Sequence, residues 1–160
     1  MDNTNNALEL SILKEEFFGH MFADHVNKTK EQLIARAREK GISSTLLGDE
    51  EDLKIFIKKI LMLVHNTPAY KNWRKFKMPD SLEIIIPMKN ITSRGIKYLS
   101  VDKKGNQYRC DFLLLVLRGQ RKSQIKNKGE QPLETGYKIE TGYPISDMPT
   151  ERNNSRVLFK

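Results

Sequence analysis

Four side chains in two distant segments have types suited to cleaving a phosphodiester bond. His25 stands ahead of a predicted helix that carries Arg36, and Thr141 and Tyr143 are two apart on a predicted strand. A histidine titrates near neutrality and can transfer a proton, and a guanidinium holds a phosphate by two parallel hydrogen bonds. Residues two apart on a strand share a face. These residues predict phosphodiester cleavage without a metal ion.

Each of the four also has an ordinary structural interpretation. A lone histidine is commonly a surface or core residue, and helical arginines usually face solvent. Threonine and tyrosine are favoured in strands for packing alone. Pro144 ends hydrogen bonding along the predicted strand, as expected at a sheet edge or strand end, where an active site is often open to solvent.

Two other groups of residues have types that a binding site could use. His20 and His25 are five apart with Asp24 between them, but two histidines without a second ligand cluster make a poor zinc site. We therefore expect neither a metal nor a cofactor. Residues 71–77 interleave aromatic with cationic side chains, so Trp73 could stack on a base; in the alternative interpretation, Trp73 and Phe76 face the core.

Composition limits the class of protein. The chain has 160 residues, a net charge of +8 and one cysteine, Cys110. This length predicts a single domain, residues 1–160, and one cysteine allows no internal disulfide, so Cys110 is expected in a buried strand. No apolar run approaches the ~20 residues of a membrane span, and the first residues lack the pattern of a signal peptide. The charge suits a polyanion or an acidic protein, although a solvated basic face would give the same excess.

Helical patterns fill the first half of the chain and strand patterns the second. Apolar residues recur at helical spacing over residues 8–18, Thr29 and Gln32 form a capping box, Asp49 is a predicted N-cap, and Pro68 suits a first helical turn. Strands are predicted at residues 82–88, 96–101, 107–117, 137–143 and 156–159. This order predicts an α+β domain with N-terminal helices packed on a C-terminal antiparallel sheet.

Three segments resemble a known toxin family. GHMFADHVNKTKEQLIAR at residues 19–36 resembles the opening of the bacterial ribonuclease A-like toxin domain, the C-terminal nuclease of some contact-dependent growth inhibition and related polymorphic toxins. ISSTL at residues 42–46 resembles its small-residue segment, and GYKIETGYP at residues 136–144 resembles its closing strand. The resemblance covers roughly residues 19–145, with the domain core expected at about 19–160. The chain departs from the family pattern at Phe22, which is bulkier, and at Gly142, where alanine is frequent.

The resemblance implies a fold, a site and partners. It implies a kidney-shaped α+β fold like that of pancreatic ribonuclease, without its disulfides, and an active site of His25, Arg36, Thr141 and Tyr143. It also implies a toxin cut from a larger exported polypeptide, acting in the cytoplasm of a target bacterium and neutralised by a cognate immunity protein. We expect an acidic immunity surface to contact basic residues within 71–77 or 118–128.

The predicted reaction is attack of a ribose 2′-hydroxyl on the adjacent phosphate of RNA, which leaves a 2′,3′-cyclic phosphate. His25 is the expected acid or base, Arg36 stabilises the phosphorane, Thr141 positions an oxygen, and Tyr143 stacks, orients or relays a proton. His20, Lys28 and Trp73 are predicted to bind substrate, with His20 in reserve for the second proton transfer. The alternatives are a nonenzymatic RNA-binding or inhibitory module and a ribonuclease toxin of the barnase-like superfold.

Overall fold

The computed structural model describes residues 3–125, 128–150 and 155–160. Its α-helices are α1 (Asn3–Ser11), α2 (Met21–His25), α3 (Lys30–Lys40), α4 (Glu50–Val64), α5 (Pro68–Lys75) and α6 (Met88–Thr92), with short 3-10 helices at Glu15–Phe18 and Lys122–Gln124. Its strands are β1 (Ile42–Leu47), β2 (Leu82–Pro87), β3 (Lys97–Asp102), β4 (Phe112–Gly119), β5 (Tyr137–Ile145) and β6 (Ser155–Leu158).

The strands form two sheets. β1 and β3 pair antiparallel, and a second sheet has the order β5-β4-β2-β6. Within the larger sheet β4 runs antiparallel to both β2 and β5, while β6 pairs parallel with β2. The α+β class with N-terminal helices on a C-terminal sheet is therefore confirmed, and the parallel β6 makes that sheet mixed rather than wholly antiparallel.

Side-chain caps start helices α3, α4 and α5 where the sequence predicts these helices to begin. The Thr29 hydroxyl accepts from the Gln32 backbone N–H, and the Gln32 side chain accepts from the Thr29 N–H. Asp49 caps α4, and Thr67 caps α5 ahead of Pro68. Each cap satisfies a backbone donor that the first helical turn leaves without an intrahelical partner.

The apolar pattern of residues 8–18 forms two short helices rather than the single one predicted. α1 ends at Ser11, whose hydroxyl accepts from the Thr135 backbone N–H at 3.1 Å. The 3-10 helix that follows ends at Gly19, which has a φ of 51° and approaches β5 so closely that a Cβ would lie 2.2 Å from the Ile139 carbonyl oxygen. Only glycine fits this position.

Strand β1 and helices α2 and α6 were not predicted as elements. ISSTL forms β1 because it pairs with β3, from Ile42 opposite Asp102 to Leu47 opposite Lys97. Conversely, the strand expected from residue 107 begins only at Phe112. Cys110 is buried as expected but lies in the connection before β4 rather than in a strand.

The two faces of the larger sheet have different roles. Its inner face packs on the helices through buried side chains that include Leu82, Ile84, Leu113, Leu115 and Ile139. The other face carries Thr141 and Tyr143. No helix in the described ranges has both the length and the apolar character needed to cross a bilayer.

Candidate active site

One cavity brings together the four residues that the sequence singled out. It has a volume of about 310 Å³ and is lined by residues from α2, α3, β1 and β5, namely His25, Arg36, Lys40, Ile42, Ser43, Ser44, Thr141 and Tyr143. His25 and Tyr143 are also in direct contact, with ring centroids 4.9 Å apart and planes inclined by 37°. A proton-transfer group, a guanidinium, a hydroxyl and a phenol therefore face one space that is open to ligand.

His25 is held at the junction of α2 and β1. Its side chain is only 9% exposed, and Nδ1 lies 3.1 Å from the carbonyl oxygen of Ser44. The adjoining backbone is fixed by a parallel bridge between Val26 and Leu46 and by the Asn27 N–H donating to the Leu46 carbonyl at 2.7 Å. Because a carbonyl only accepts, Nδ1 carries the hydrogen, and the lone pair of the neutral ring lies on Nε2.

The surroundings of His25 favour its neutral form. Burial lowers the pKa of the imidazole below its ordinary 6.5, because the charged ring loses hydration. The hydrogen bond to the Ser44 carbonyl acts in the opposite direction. The positive charges of Arg36 and Lys28 lower the pKa further, while Asp24 raises it. The net result is an imidazole that is mainly neutral at pH 7 and able to accept a proton.

Thr141 and Tyr143 lie on the face of β5 that borders the cavity, and Gly142 between them lies on the opposite face, against α2 and β4. A Cβ at Gly142 would lie 2.6 Å from Leu115 Cδ2 and 2.9 Å from Met21 Sδ. These contacts are closer than side-chain carbon atoms adopt, so glycine lets β5 lie against α2 and β4. The packing accounts for glycine at a position where the resembled family often has alanine.

The contact between β1 and β5 joins the two halves of the site. The Ser44 hydroxyl donates to the Pro144 carbonyl at 2.9 Å, so the residue whose carbonyl orients His25 also binds the end of β5. Ser44 therefore positions the histidine against Tyr143. This role of Ser44 was not predicted from the sequence, although the small polar residues of ISSTL are a signal for the segment.

Arg36 and Lys40 place positive charge on the α3 side of the cavity. They are four residues apart and so lie on one helix face. Arg36 Nη1 is 3.6 Å from Asp24 Oδ1, and about one third of the arginine side chain is exposed (34%). Lys40 was missed in the sequence analysis, although its spacing from Arg36 is a usable signal.

Ser43 is a second lining residue that sequence reasoning missed. It is 5% exposed, and its hydroxyl oxygen is buried with no hydrogen-bond partner among the described residues. A buried polar atom without a protein partner is costly and rare, so this hydroxyl remains available to a water molecule or a ligand.

The predicted substrate-binding residues lie elsewhere. His20 is exposed at the start of α2, where its backbone N–H donates to the Glu140 carbonyl, and it does not line the cavity. Lys28 lines an adjoining cavity of about 600 Å³ that shares Arg36 and Lys40 with the first. The prediction for Trp73 is wrong: the side chain is 1% exposed and Nε1 donates to the Asp80 carbonyl, so its ring cannot stack on a base.

Some residues of the two basic segments that are predicted to contact an immunity protein make contacts within the fold instead. Arg118 is 9% exposed and pairs with Glu130 at 3.4 Å and with Glu140 at 3.7 Å. Phe76, expected in the core in the alternative interpretation, is 65% exposed, with the Lys75 ammonium 5.8 Å from its ring centroid. Residues 126 and 127 of the second segment lie outside the described residues.

Across the described ranges, no group of three or more histidine, cysteine, aspartate or glutamate side chains could hold a metal ion.

Comparisons with known proteins identify a similar fold. No protein-family model matches the chain, and no curated protein matches it. A chain in the crystal structure of a CdiA-CT/CdiI complex from Y. kristensenii 33638 is similar, with a TM-score of 0.50 and 21% sequence identity. The similarity covers 79% of this chain and 98% of that chain. At this identity the likeness establishes a shared fold.

Proposed function

We propose that the chain is an endoribonuclease toxin that cleaves RNA by attack of a ribose 2′-hydroxyl on the adjacent phosphate. The observation that supports the proposal best is the meeting of His25, Arg36, Thr141 and Tyr143 in one cavity of about 310 Å³. These residues come from three elements, and general core packing gives no reason for them to share an opening.

In the proposed first step, Nε2 of neutral His25 accepts the proton of the 2′-hydroxyl. The 2′-oxygen bonds to phosphorus, the bond from phosphorus to the 5′-oxygen of the next nucleotide breaks, and the products are a 2′,3′-cyclic phosphate and a 5′-hydroxyl. The Ser44 carbonyl holds the ring in the tautomer that this step requires and stabilises the imidazolium that forms.

The leaving 5′-oxygen needs a proton, and Tyr143 is the donor we propose. Its ring contacts His25 at 4.9 Å between centroids, whereas His20, the reserve candidate, lies outside the cavity. A phenol is also a better proton donor than the aliphatic hydroxyls of Ser43 and Thr141. Tyr143 would recover its proton from His25 or from water after the products form.

Positive charge on α3 would stabilise the phosphorane. Arg36 can supply two parallel N–H groups to nonbridging oxygens, and Lys40 one turn further adds a second charge. Thr141 and the unpartnered Ser43 hydroxyl can donate to the remaining oxygens.

The toxin role rests on the shared fold and on the resemblance of residues 19–36 and 136–144 to contact-dependent growth inhibition nucleases. We propose that the domain is released from a larger exported polypeptide, acts in the cytoplasm of a target bacterium and is blocked by a cognate immunity protein. The net charge of +8 favours an acidic inhibitory surface over the site.

Co-expression with the immunity protein should restore growth, and association of the two proteins should slow as salt rises. A salt-insensitive complex that leaves the cavity open would refute this partner model.

The test of the nuclease is incubation of the purified chain with a defined RNA in excess chelator. We expect products ending in 2′,3′-cyclic phosphate and no cleavage of the matching single-stranded DNA, which lacks the attacking hydroxyl. Dependence on an added divalent metal, with the fold intact, would refute the mechanism. RNA binding without cleavage would favour the nonenzymatic module.

A further inference from the structure

A second cavity adjoins the candidate active site on the outer face of the larger sheet. It has a volume of about 480 Å³ and shares Tyr143 with the first cavity. Strand register explains the arrangement: Tyr143 pairs with Leu114, and Ile145 pairs with Phe112, so Tyr143 and Ile145 stand on the same face as Leu114 and Val116. The cavity is thus a neighbour of the candidate site, and Tyr143 lines both.

The two cavities differ in chemical character. The first carries Arg36 and Lys40, whereas the second combines the apolar Leu114, Val116 and Ile145 with the carboxylates of Glu83 and Asp147. Carboxylates repel a phosphate, but they accept hydrogen bonds from amino groups on base edges. Apolar and aromatic side chains supply the surface on which a single-stranded base stacks.

The two carboxylates are not equally available. Glu83 Oε1 is held by Arg156 Nη2 at 2.9 Å, and both side chains are largely covered, at 12% and 13% exposed. Asp147 is exposed at the rim. Glu83 therefore fixes the wall of the cavity, and Asp147 is the acceptor that a ligand can reach.

We infer that this second cavity is a nucleobase subsite. It takes the base of the ribonucleotide whose 2′-hydroxyl reacts, with Tyr143 and Ile145 against the ring and Asp147 accepting from an exocyclic amino group. The inference rests on the proposed ribonuclease function. It names cytosine, adenine and guanine as preferred over uracil, because each of the three presents an exocyclic amino group on the edge that pairs with another base and uracil presents none.

The kinetic test uses DNA strands that contain one ribonucleotide, so that cleavage occurs only at that position. The strands differ only in that base: cytosine, adenine, uracil, or none, in the form of an abasic ribose. We expect cytosine and adenine strands to be cleaved about tenfold or more faster than the abasic strand in kcat/KM, as one stacked base contributes.

Variants separate the subsite from the rest of the face. Ile145→Trp, which fills the cavity, should remove most of the advantage of the base-bearing strands over the abasic strand. Asp147→Asn should reduce the preference for cytosine over uracil. The matched control is Leu158→Trp, on the same sheet face but outside the cavity and 59% exposed, and it should behave as wild type.

Binding distinguishes failure of this inference from failure of the proposed function. Cytidine 3′-phosphate should bind wild-type protein more tightly than ribose 5-phosphate by calorimetry, and Ile145→Trp should remove the difference. Cleavage of all strands at equal rates, the abasic one included, would overturn the subsite and leave the nuclease standing. If no strand is cleaved, the nuclease proposal fails; base-dependent binding lost in Ile145→Trp would then still support the subsite, and equal binding of the two phosphates would overturn it.

Discussion

Replacing His25 with asparagine separates its proposed chemistry from its structural contact. The asparagine amide nitrogen takes the position of Nδ1, so it can still donate to the Ser44 carbonyl that lies 3.1 Å from the histidine nitrogen. The variant lacks Nε2, the atom with the lone pair. Since the hydrogen bond that joins α2 to β1 is retained, we expect the fold to persist.

The expected loss follows from the role of a general base. Removing one costs about 10²- to 10⁴-fold in rate, or roughly 2.7–5.5 kcal/mol of transition-state stabilisation. RNA affinity should change little, because the charges of Arg36 and Lys40 remain. The effect should therefore fall on the chemical step rather than on binding.

The pH profile gives an independent check. Burial lowers the pKa of His25 below 6.5, so the reactive neutral ring predominates at neutrality and is lost as pH falls through that lowered value. The acid limb of kcat/KM in the wild type should have its midpoint below pH 6.5. In His25→Asn that limb should disappear.

The assay is single-turnover cleavage of a labelled RNA in chelator between pH 4.5 and 8, with unfolding in urea as the control for folding. A His25→Asn protein that is folded and cleaves within about tenfold of wild type would refute the assignment of His25 as the base. An unchanged acid limb in the variant would assign the titration to another group.

Three further predictions address the neighbours of His25 and the packing of β5. Arg36→Lys should lower kcat by about 10²-fold, because a point charge cannot reproduce two parallel donors; turnover near wild type would exclude this role. Asp24→Asn should shift the acid limb of kcat/KM to lower pH and Lys28→Ala to higher pH, because Asp24 raises and Lys28 lowers the pKa of His25; shifts in the same direction would contradict this account. Gly142→Ala should cost about 1–3 kcal/mol of unfolding free energy through overpacking, whereas Gly48→Ala, whose nearest atoms lie at 3.8 Å, should be nearly neutral in the same urea titration.

Local signals in the sequence determined the helix starts and the general class of the fold. Thr29 and Asp49 cap helices where predicted, because a cap depends on a side chain and the backbone a few residues away. Pro68 begins α5 as predicted. The run of strand patterns after residue 80 indicated the four strands of the larger sheet and also β3, which pairs with β1 in the smaller sheet. The candidate residues could be named from their types and from the family resemblance, but their roles in catalysis stay predictions.

Tertiary structure decided which of those residues meet. ISSTL is a strand only because β3 lies beside it, and Ser44 joins β1 to β5 across 100 residues of sequence through the Pro144 carbonyl. No local sequence pattern predicts the hydrogen bond between Ser44 and Pro144, yet this bond holds β1, which orients His25, against the strand that carries Tyr143. Trp73 shows the same limit: its neighbours in sequence suggest a basic binding surface, while long-range packing against Tyr137 buries its ring. The sequence by itself determined the chemical groups and the elements that carry Arg36, Thr141 and Tyr143, whereas non-local packing decided which side chains share a cavity and which are closed to a ligand.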